Sequence, residues 1–183
     1  MSHVNEQLRG AAKGGDEAQV KALLLDPKCD PLAKDLWGLT ALMYAALEGY
    51  DSCVSFILPV SDPLAKDRSG MTALMWAACN KDASCVELLL PVSEVLTKDQ
   101  SGCNALMIAA YKGSTSCVQV LLPVSDILAK SNDGKTAGEL AKESGYDTLA
   151  RYIDACVFVQ DEKLALSSIL STEASQKSSS LRL

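Results

Sequence analysis

Histidine is nearly absent from this sequence, with one residue, His3, among 183. Nucleophilic catalysis by serine or cysteine needs a positioned base, and a lone histidine near a chain end supplies none. Zinc sites need cysteine and histidine at short spacings, whereas the seven cysteines are dispersed and form no Cys-x-x-Cys pair. No phosphate loop of the Gly-x-x-x-x-Gly-Lys type occurs. We therefore predict a protein with no catalytic residues, no bound metal and no cofactor.

Basic side chains are also in the minority. Lys and Arg total 17 against 23 Asp and Glu, which gives a net charge of −6. Nucleic-acid backbones and anionic membranes both attract basic surfaces, so this charge disfavours both partners. No apolar run reaches the ~18 residues of a transmembrane helix, and residues 1–10 have no signal-peptide core. We expect a cytoplasmic protein, with association to the cytoskeleton as an alternative.

Three of the cysteines occupy one position of a repeating pattern. Cys53, Cys85 and Cys117 follow one another at intervals of 32 residues. Neighbouring packed helices lie ~8–10 Å apart, which is too far for a disulfide, whose Cα atoms lie within ~7 Å. We expect reduced thiols that pack as small apolar side chains, as in a reducing compartment.

What the sequence does contain is a nine-residue motif that returns at a fixed interval. It reads Gly-Leu-Thr-Ala-Leu-Met-Tyr-Ala-Ala at 38–46, recurs with few changes at 70–78 and 102–110, and begins once more at Gly134. Each glycine follows the previous one after 32 residues. A constant period of this size indicates an array of stacked repeats.

Each unit is predicted to fold as a turn, a helix, a second helix and a long loop. Asp67 begins a type I turn that Gly70 closes, and Thr72 then offers an N-cap for the first helix. Asp82 can cap the second helix. Pro91 ends that helix, because proline lacks an N–H group and clashes with the preceding turn.

The second unit lacks the glycine that follows the first helix elsewhere. Lys81 stands where the other units carry Gly49, Gly113 and Gly145. A left-handed lysine would be mildly strained, unless Asn80 adopts that conformation in its place.

The first and last units differ from the inner ones in polarity. Arg9 and Lys13 stand where the inner repeats carry apolar residues, and Glu139 and Lys142 do so at the other end. Terminal repeats need a polar outer face to end the stack in water. We predict an array over residues 1–154, with caps at 4–34 and 131–154 around full repeats at 35–66, 67–98 and 99–130.

Beyond residue 154 the period stops. Residues 155–170 contain enough apolar side chains to pack, and we predict a helical extension that covers the last repeat. A docking helix for a partner is the alternative. Residues 171–183 are rich in serine and are predicted to be a flexible tail.

The repeated unit resembles the ankyrin repeat. Its pattern is Asp-x-x-Gly-x-Thr-Ala-Leu-Met-x-Ala-Ala, then Gly, then Cys-Val-x-x-Leu-Leu, over about residues 4–154. The resemblance implies an all-α solenoid of helix-turn-helix units joined by β-turn loops. Ala replaces the family's Pro, Met replaces its His, and the period is one residue shorter than the usual ~33. This variant is similar to the Protein 21.1 group of single-celled parasites.

The resemblance implies a non-catalytic module that binds a protein or peptide, and we expect a monomer. In this family partners contact the concave face, at the positions that differ most between these repeats: the two residues after the turn Asp, the residue after Gly and the two after the Ala pair. In the full repeats they are Leu36, Trp37, Leu39, Leu47, Glu48, Arg68, Ser69, Met71, Cys79, Asn80, Gln100, Ser101, Cys103, Tyr111 and Lys112. The last unit adds Asn132, Asp133, Lys135, Glu143 and Ser144.

The predicted face is apolar in its N-terminal half and polar in its C-terminal half. An exposed Trp37 with Leu and Met neighbours is typical of an interface anchor. The alternative is that Trp37 folds over the turn and covers Leu39 or Met71. Three larger side chains at the inner position of the first helix are expected in the core: Tyr44, Trp76 and Ile108.

Two other functions remain open for such an array. It can act as a regulatory inhibitor that occludes an enzyme such as a protein kinase. It can also be a component of a cytoskeletal scaffold.

Overall fold

The computed structural model describes residues 3–157, which form pairs of helices and contain no strand. The first helices of the pairs are α1 (His3–Gly14), α3 (Ala41–Glu48), α5 (Ala73–Ala78), α7 (Ala105–Lys112) and α9 (Ala137–Glu143). The second helices are α2 (Glu17–Leu24), α4 (Asp51–Ile57), α6 (Ser84–Leu89) and α8 (Thr115–Leu121). Residues 147–157 form α10, which follows α9 along the chain as the second helix of the last pair. The all-α solenoid is confirmed.

The helix pairs stack in two layers. The first helices, α1 to α9, pack side by side, and the second helices, α2 to α8, form the other layer. The first layer packs closely because its paired alanines are small and buried: Ala45, Ala46, Ala77, Ala78, Ala109 and Ala110. One leucine of each full repeat lies at the centre of the core: Leu42, Leu74 and Leu106. Each such burial stabilises the fold by about 1.5–3 kcal/mol.

The predicted N-caps of the first helices are confirmed. The side chain of Thr40 accepts the N–H of Met43 at 3.3 Å, and Asn104 does the same for Met107 at 2.9 Å. In the last unit Thr136 forms a full capping box with Glu139. These bonds satisfy backbone donors that the helix leaves without partners, so they define where each first helix begins.

Proline ends the second helices as predicted. α6 ends at Leu89, and the chain continues through a single 3₁₀ turn, Leu90–Val92, with Pro91 at its centre. The other two full repeats have the same turn, at Leu58–Val60 and Leu122–Val124. The fixed φ of proline suits the start of such a turn, whereas its missing N–H prevents continuation of the α-helix.

The segment between α5 and α6 departs from the prediction in two ways. α5 ends at Ala78, and no residue other than glycine has a positive φ in residues 3–157, so neither Lys81 nor Asn80 is left-handed. Without the glycine, the helix stops early and avoids the strain. The predicted cap at Asp82 is also wrong, because α6 begins at Ser84 and Ala83 is its N-cap. Asp82 instead accepts the N–H and hydroxyl of Ser84 from outside the helix.

The N-terminal cap is less polar on its surface than expected. Arg9 is buried, with 7% of its surface exposed, and its guanidinium donates to the carbonyl of Ala33 at 3.3 Å. The loop of the first unit folds back on α1 and covers this side chain, a contact across 24 residues that no local pattern reveals. Lys13, Glu139 and Lys142 are exposed as predicted.

The structure describes only the beginning of the predicted C-terminal extension. Leu149, Ala150 and Ile153 of α10 are buried against the last repeat. The first three residues of the predicted extension at 155–170 belong to α10. The rest of the extension, 158–170, and the predicted tail at 171–183 lie outside the described residues.

Candidate functional site

The turns that carry the predicted contact residues are held by several internal hydrogen bonds. Oδ1 of Asp35 accepts the N–H groups of Trp37 and Leu39 at 2.8 and 2.9 Å, and Gly38 donates to the carbonyl of Asp35 at 3.1 Å. Asp67 and Asp99 repeat this arrangement in their own turns. The predicted role of the turn carboxylates is therefore confirmed, and the residues beside them are held in fixed positions.

Successive turns are also bonded to each other. The N–H of Arg68 donates to the carbonyl of Trp37 at 3.0 Å, and Gln100 donates in the same way to Ser69. The side chain of Gln100 donates to the carbonyl of Arg68 at 2.8 Å, and Asn132 repeats this contact with Gln100. Gln100 and Asn132, both predicted to meet a partner, thus already hold the turn stack together.

The second oxygen of the turn carboxylate binds a side chain of the following helix. Oδ2 of Asp35 accepts the hydroxyl of Tyr44 at 2.7 Å, and Oδ2 of Asp67 accepts the indole N–H of Trp76 at 3.1 Å. Tyr44 and Trp76 pack against the core but are only half-buried, so their assignment to the core holds in part, whereas Ile108 is buried. The polar atoms of the two aromatic rings draw them to the turn and towards the surface.

This bond shifts the pKa of both partners in the first repeat. Burial raises the pKa of Asp35, but the hydrogen bonds from Tyr44 and the turn backbone, with the charge of Arg9, hold it below its ordinary value of 3.8. Burial and the neighbouring Asp35 carboxylate raise the pKa of Tyr44 to about 12. The charged aspartate and the neutral tyrosine are therefore the forms that the fold favours.

The Tyr44–Asp35 contact gives a pH-dependent prediction. We expect Tyr44→Phe to lower the free energy of unfolding by about 1.5–3 kcal/mol at neutral pH, because it removes one hydrogen bond to a carboxylate. The tyrosine contribution is fully present below its ordinary pKa of 10.0 and is lost as pH rises through about 12. The aspartate contribution is present above 3.8 and is lost as pH falls through the lower folded value.

Urea denaturation of the wild type and Tyr44→Phe over the pH range measures this difference. We expect a constant gap near neutrality that narrows in both acid and strong base. Tyr111→Phe is the matched control, because this ring is 54% exposed and its hydroxyl has no hydrogen bond within residues 3–157. An equal gap for both variants at every pH would contradict the assigned contact.

The N-terminal part of the predicted face is open. Leu36 and Trp37 are each 65% exposed, so most of the Trp37 ring is uncovered. Both line a recess of about 350 Å³ between α1 and the first turn, together with Lys13 and Tyr44. Lys13 lies over the ring of Tyr44 at 5.7 Å, which places a positive charge at the edge of an apolar surface.

A second recess, which we name the central cavity, forms where the second and third full repeats meet. It has a volume of about 400 Å³ and brings together six of the predicted residues: Met71, Cys79, Ser101, Cys103, Tyr111 and Lys112. Trp76, Met107 and Ile108 contribute its apolar wall, and Asp99 contributes a carboxylate. Tyr111 and Lys112 also border a wider depression with Glu143, Ser144 and Tyr146.

The remaining predicted residues do not converge on a cavity. Glu48, Arg68 and Ser69 are exposed, and Leu39 and Leu47 are half-buried. Asn80 is half-buried, and its amide donates to the carbonyl of Leu47 in the preceding repeat at 3.3 Å. All five predicted residues of the last unit, Asn132, Asp133, Lys135, Glu143 and Ser144, are exposed or half-buried, and Lys135 and Glu143 pair at 2.6 Å.

All seven cysteines are free. Cys53, Cys85 and Cys117 are buried, as the 32-residue interval predicted. Burial, with the charges of Asp51 and Asp82, raises the pKa of Cys85 to about 12. Burial also raises the pKa of Cys79 and Cys103 in the central cavity. These thiols are protonated at neutral pH and act as small apolar surface.

One exposed surface has no counterpart in the sequence predictions. Each long loop presents one leucine that is about half exposed, and each 3₁₀ turn presents an exposed valine. The residues are Leu32, Leu64, Leu96 and Leu128, with Val60, Val92 and Val124. Because they recur at every 32nd position, they are not among the positions that differ between the repeats, from which the contact residues were predicted. Their charged and proline neighbours were the available signal of exposure.

Comparison with protein families identifies the array. A family model described as ankyrin repeats, in three copies, matches residues 8–99 and 78–156. This chain belongs to the ankyrin-repeat family. Ankyrin repeats are generally protein-interaction modules, and the family is typically non-catalytic. A comparison with curated proteins gave no match. Within residues 3–157, no helix has the length and apolar character needed to cross a membrane.

Proposed function

We propose that this ankyrin array binds a segment of a partner protein on the face formed by its turns and by the ends of its first helices. The observation that carries the proposal is the central cavity. Six residues from positions that vary between the repeats converge there. Stacking of the repeats does not require particular side chains at these positions, so their side chains are available to select a partner.

The build of this face favours binding without rearrangement. The turn carboxylates and the bonds between turns fix the backbone on which the contact residues stand. A rigid surface loses little conformational entropy when a partner docks, so more of the contact energy remains as affinity. The exposed Leu36 and Trp37 offer an apolar anchor at one end, and Lys112 offers a charge at the other.

The finer assignments belong to the same proposal. The seven dispersed cysteines, three of them buried at one repeat position, support a reducing, cytoplasmic location. The Ala and Met substitutions in the repeat motif support a place in the Protein 21.1 group. The division into caps at 4–34 and 131–154 around three full repeats accounts for the change in polarity at the two ends.

The double variant Trp37→Ala/Met71→Ala tests the proposed face. We expect partner capture to weaken about tenfold or more, because aromatic and methionine anchors supply much of the energy of an interface. The measurement is quantitative affinity capture from the source cell, followed by titration of the retained protein. The far-UV CD spectrum is expected to remain that of the wild type.

Leu25→Ala/Leu96→Ala is the matched control, since it removes two apolar side chains that are 85% and 62% exposed and lie in the loops after the second helices. Capture by this control should equal that of the wild type. A double variant at Trp37 and Met71 that lowers only the melting temperature, with capture intact, would mean that both residues serve the core and that the site is wrongly placed.

A further inference from the structure

The three turn carboxylates of the full repeats differ in one respect. Each uses Oδ1 for its own turn, but only two of them receive a donor at Oδ2: Tyr44 for Asp35 and Trp76 for Asp67. In the third repeat the corresponding helix residue is Ile108, which has no donor, and Oδ2 of Asp99 receives no hydrogen bond within residues 3–157. All three full repeats therefore have the carboxylate acceptor, but only the first two have a side chain of their own that donates to it.

The unmatched carboxylate lies beside the central cavity. Asp99 lines this cavity together with Ile108, Met71 and Cys103, so an apolar wall and a charged acceptor face one recess. Tyr111 and Lys112 border it. A carboxylate gains most from an N–H or O–H donor. An aliphatic side chain of a partner would cover the apolar wall of the cavity but would leave Oδ2 of Asp99 without a hydrogen-bond donor.

We propose that the central cavity receives a tryptophan or tyrosine side chain of the partner, whose N–H or O–H donates to Oδ2 of Asp99. The ring packs on Met71, Cys103 and Ile108, and the donor completes the bond that Tyr44 and Trp76 make inside the other two repeats. This inference rests on the proposed function and specifies the chemistry that the face selects.

Small aromatic probes test the site without knowledge of the partner. The full chain, carrying labelled Ile δ1 and Met ε methyl groups, is titrated with 3-methylindole and with 1,3-dimethylindole. The two probes share the ring, but only the first has an N–H. We expect saturable NMR shifts at Ile108 and Met71, with binding of the dimethyl compound about tenfold weaker, because it cannot donate to the carboxylate. Equal affinities would overturn the proposal.

Substitution of the helix residue provides a second test. Ile108→Trp installs the internal donor found at Trp76, so it should occupy Asp99 and abolish the probe-induced shift at Met71. Leu96→Trp, which adds a tryptophan at an exposed loop position outside the central cavity, is the matched control and should bind 3-methylindole as the wild type does. Retained binding by Ile108→Trp would count against the inference.

Asp99→Asn keeps the inference testable if Ile108→Trp does not fold. Asparagine retains an oxygen for the turn N–H groups and places an amide donor where Oδ2 stood. The variant should lose the preference for 3-methylindole over 1,3-dimethylindole, and a preserved preference would overturn the assignment of Asp99.

The two proposals fail in different experiments. If the probes bind as expected but no cellular protein depends on Trp37 and Met71, the proposed function fails and the aromatic site stands. If a partner is captured through those residues but the probes show no preference for a donor, the inference fails and the proposed function stands.

Discussion

Replacement of Leu106 by alanine is expected to lower the free energy of unfolding by about 2–5 kcal/mol. Leu106 has no exposed surface and lies in α7, which packs against α5, α8 and α9. Truncation removes buried apolar surface and leaves a cavity that the closely packed alanine helices cannot close. Urea denaturation followed by far-UV CD measures the loss.

Leu96→Ala is the control for this prediction, because it makes the same chemical change at a side chain that is 62% exposed. Its expected effect is within about 0.5 kcal/mol. In a stacked array each repeat depends on its neighbours, so weakening one inner repeat should also reduce the cooperativity of unfolding. Similar losses from both leucines would contradict the assignment of Leu106 to the core.

Gly102→Ala is expected to lower the free energy of unfolding by about 2–4 kcal/mol. Gly102 has φ +75°, a left-handed conformation that costs an alanine energy. Its added Cβ would also lie 2.7 Å from the backbone nitrogen of Asn132 in the next turn. Since that nitrogen is backbone, the two turns must move apart, which strains the bond from Asn132 to the carbonyl of Ser101.

Gly134→Ala separates the two causes. Gly134 has nearly the same φ, +76°, but a Cβ there meets nothing within 4 Å, because within residues 3–157 no further turn stacks on it. Only the conformational cost of about 1–2 kcal/mol should appear. The difference between the variants, from paired urea denaturations, measures the close contact between turns. If the two variants lose the same amount, that contact contributes nothing to stability.

Features that depend on residues close together in the chain were predictable. The N-cap of Thr40 and the turn around Asp35 involve partners three or four residues away, so the motif itself specifies them. The 3₁₀ turn at Pro91 follows from the ring of one residue. The constant interval between the motifs then fixes the stacking, since each copy must bury the same face against the next.

Features that depend on a neighbouring repeat were not predictable from the motif. Arg9 was predicted to be exposed because its position looks terminal, but a loop 24 residues away covers it. Tyr44 and Trp76 were predicted to be core residues and pack against the core, but each also donates to a turn carboxylate and is only half-buried. The side chain of Asn80 donates to the carbonyl of Leu47, 33 residues away, and no residue between α5 and α6 is left-handed.

For this protein, the sequence by itself determined the ankyrin-repeat family, the helix pairs, the turns and the set of positions that vary. Hydrogen bonds between residues close together in the chain, and a regular pattern of apolar residues, can be predicted from the sequence without knowing the tertiary structure. Only the tertiary structure decided which of the varying residues meet in the central cavity and which carboxylate lacks a donor. Those features join side chains from different repeats, and their distances exist only once the repeats are stacked.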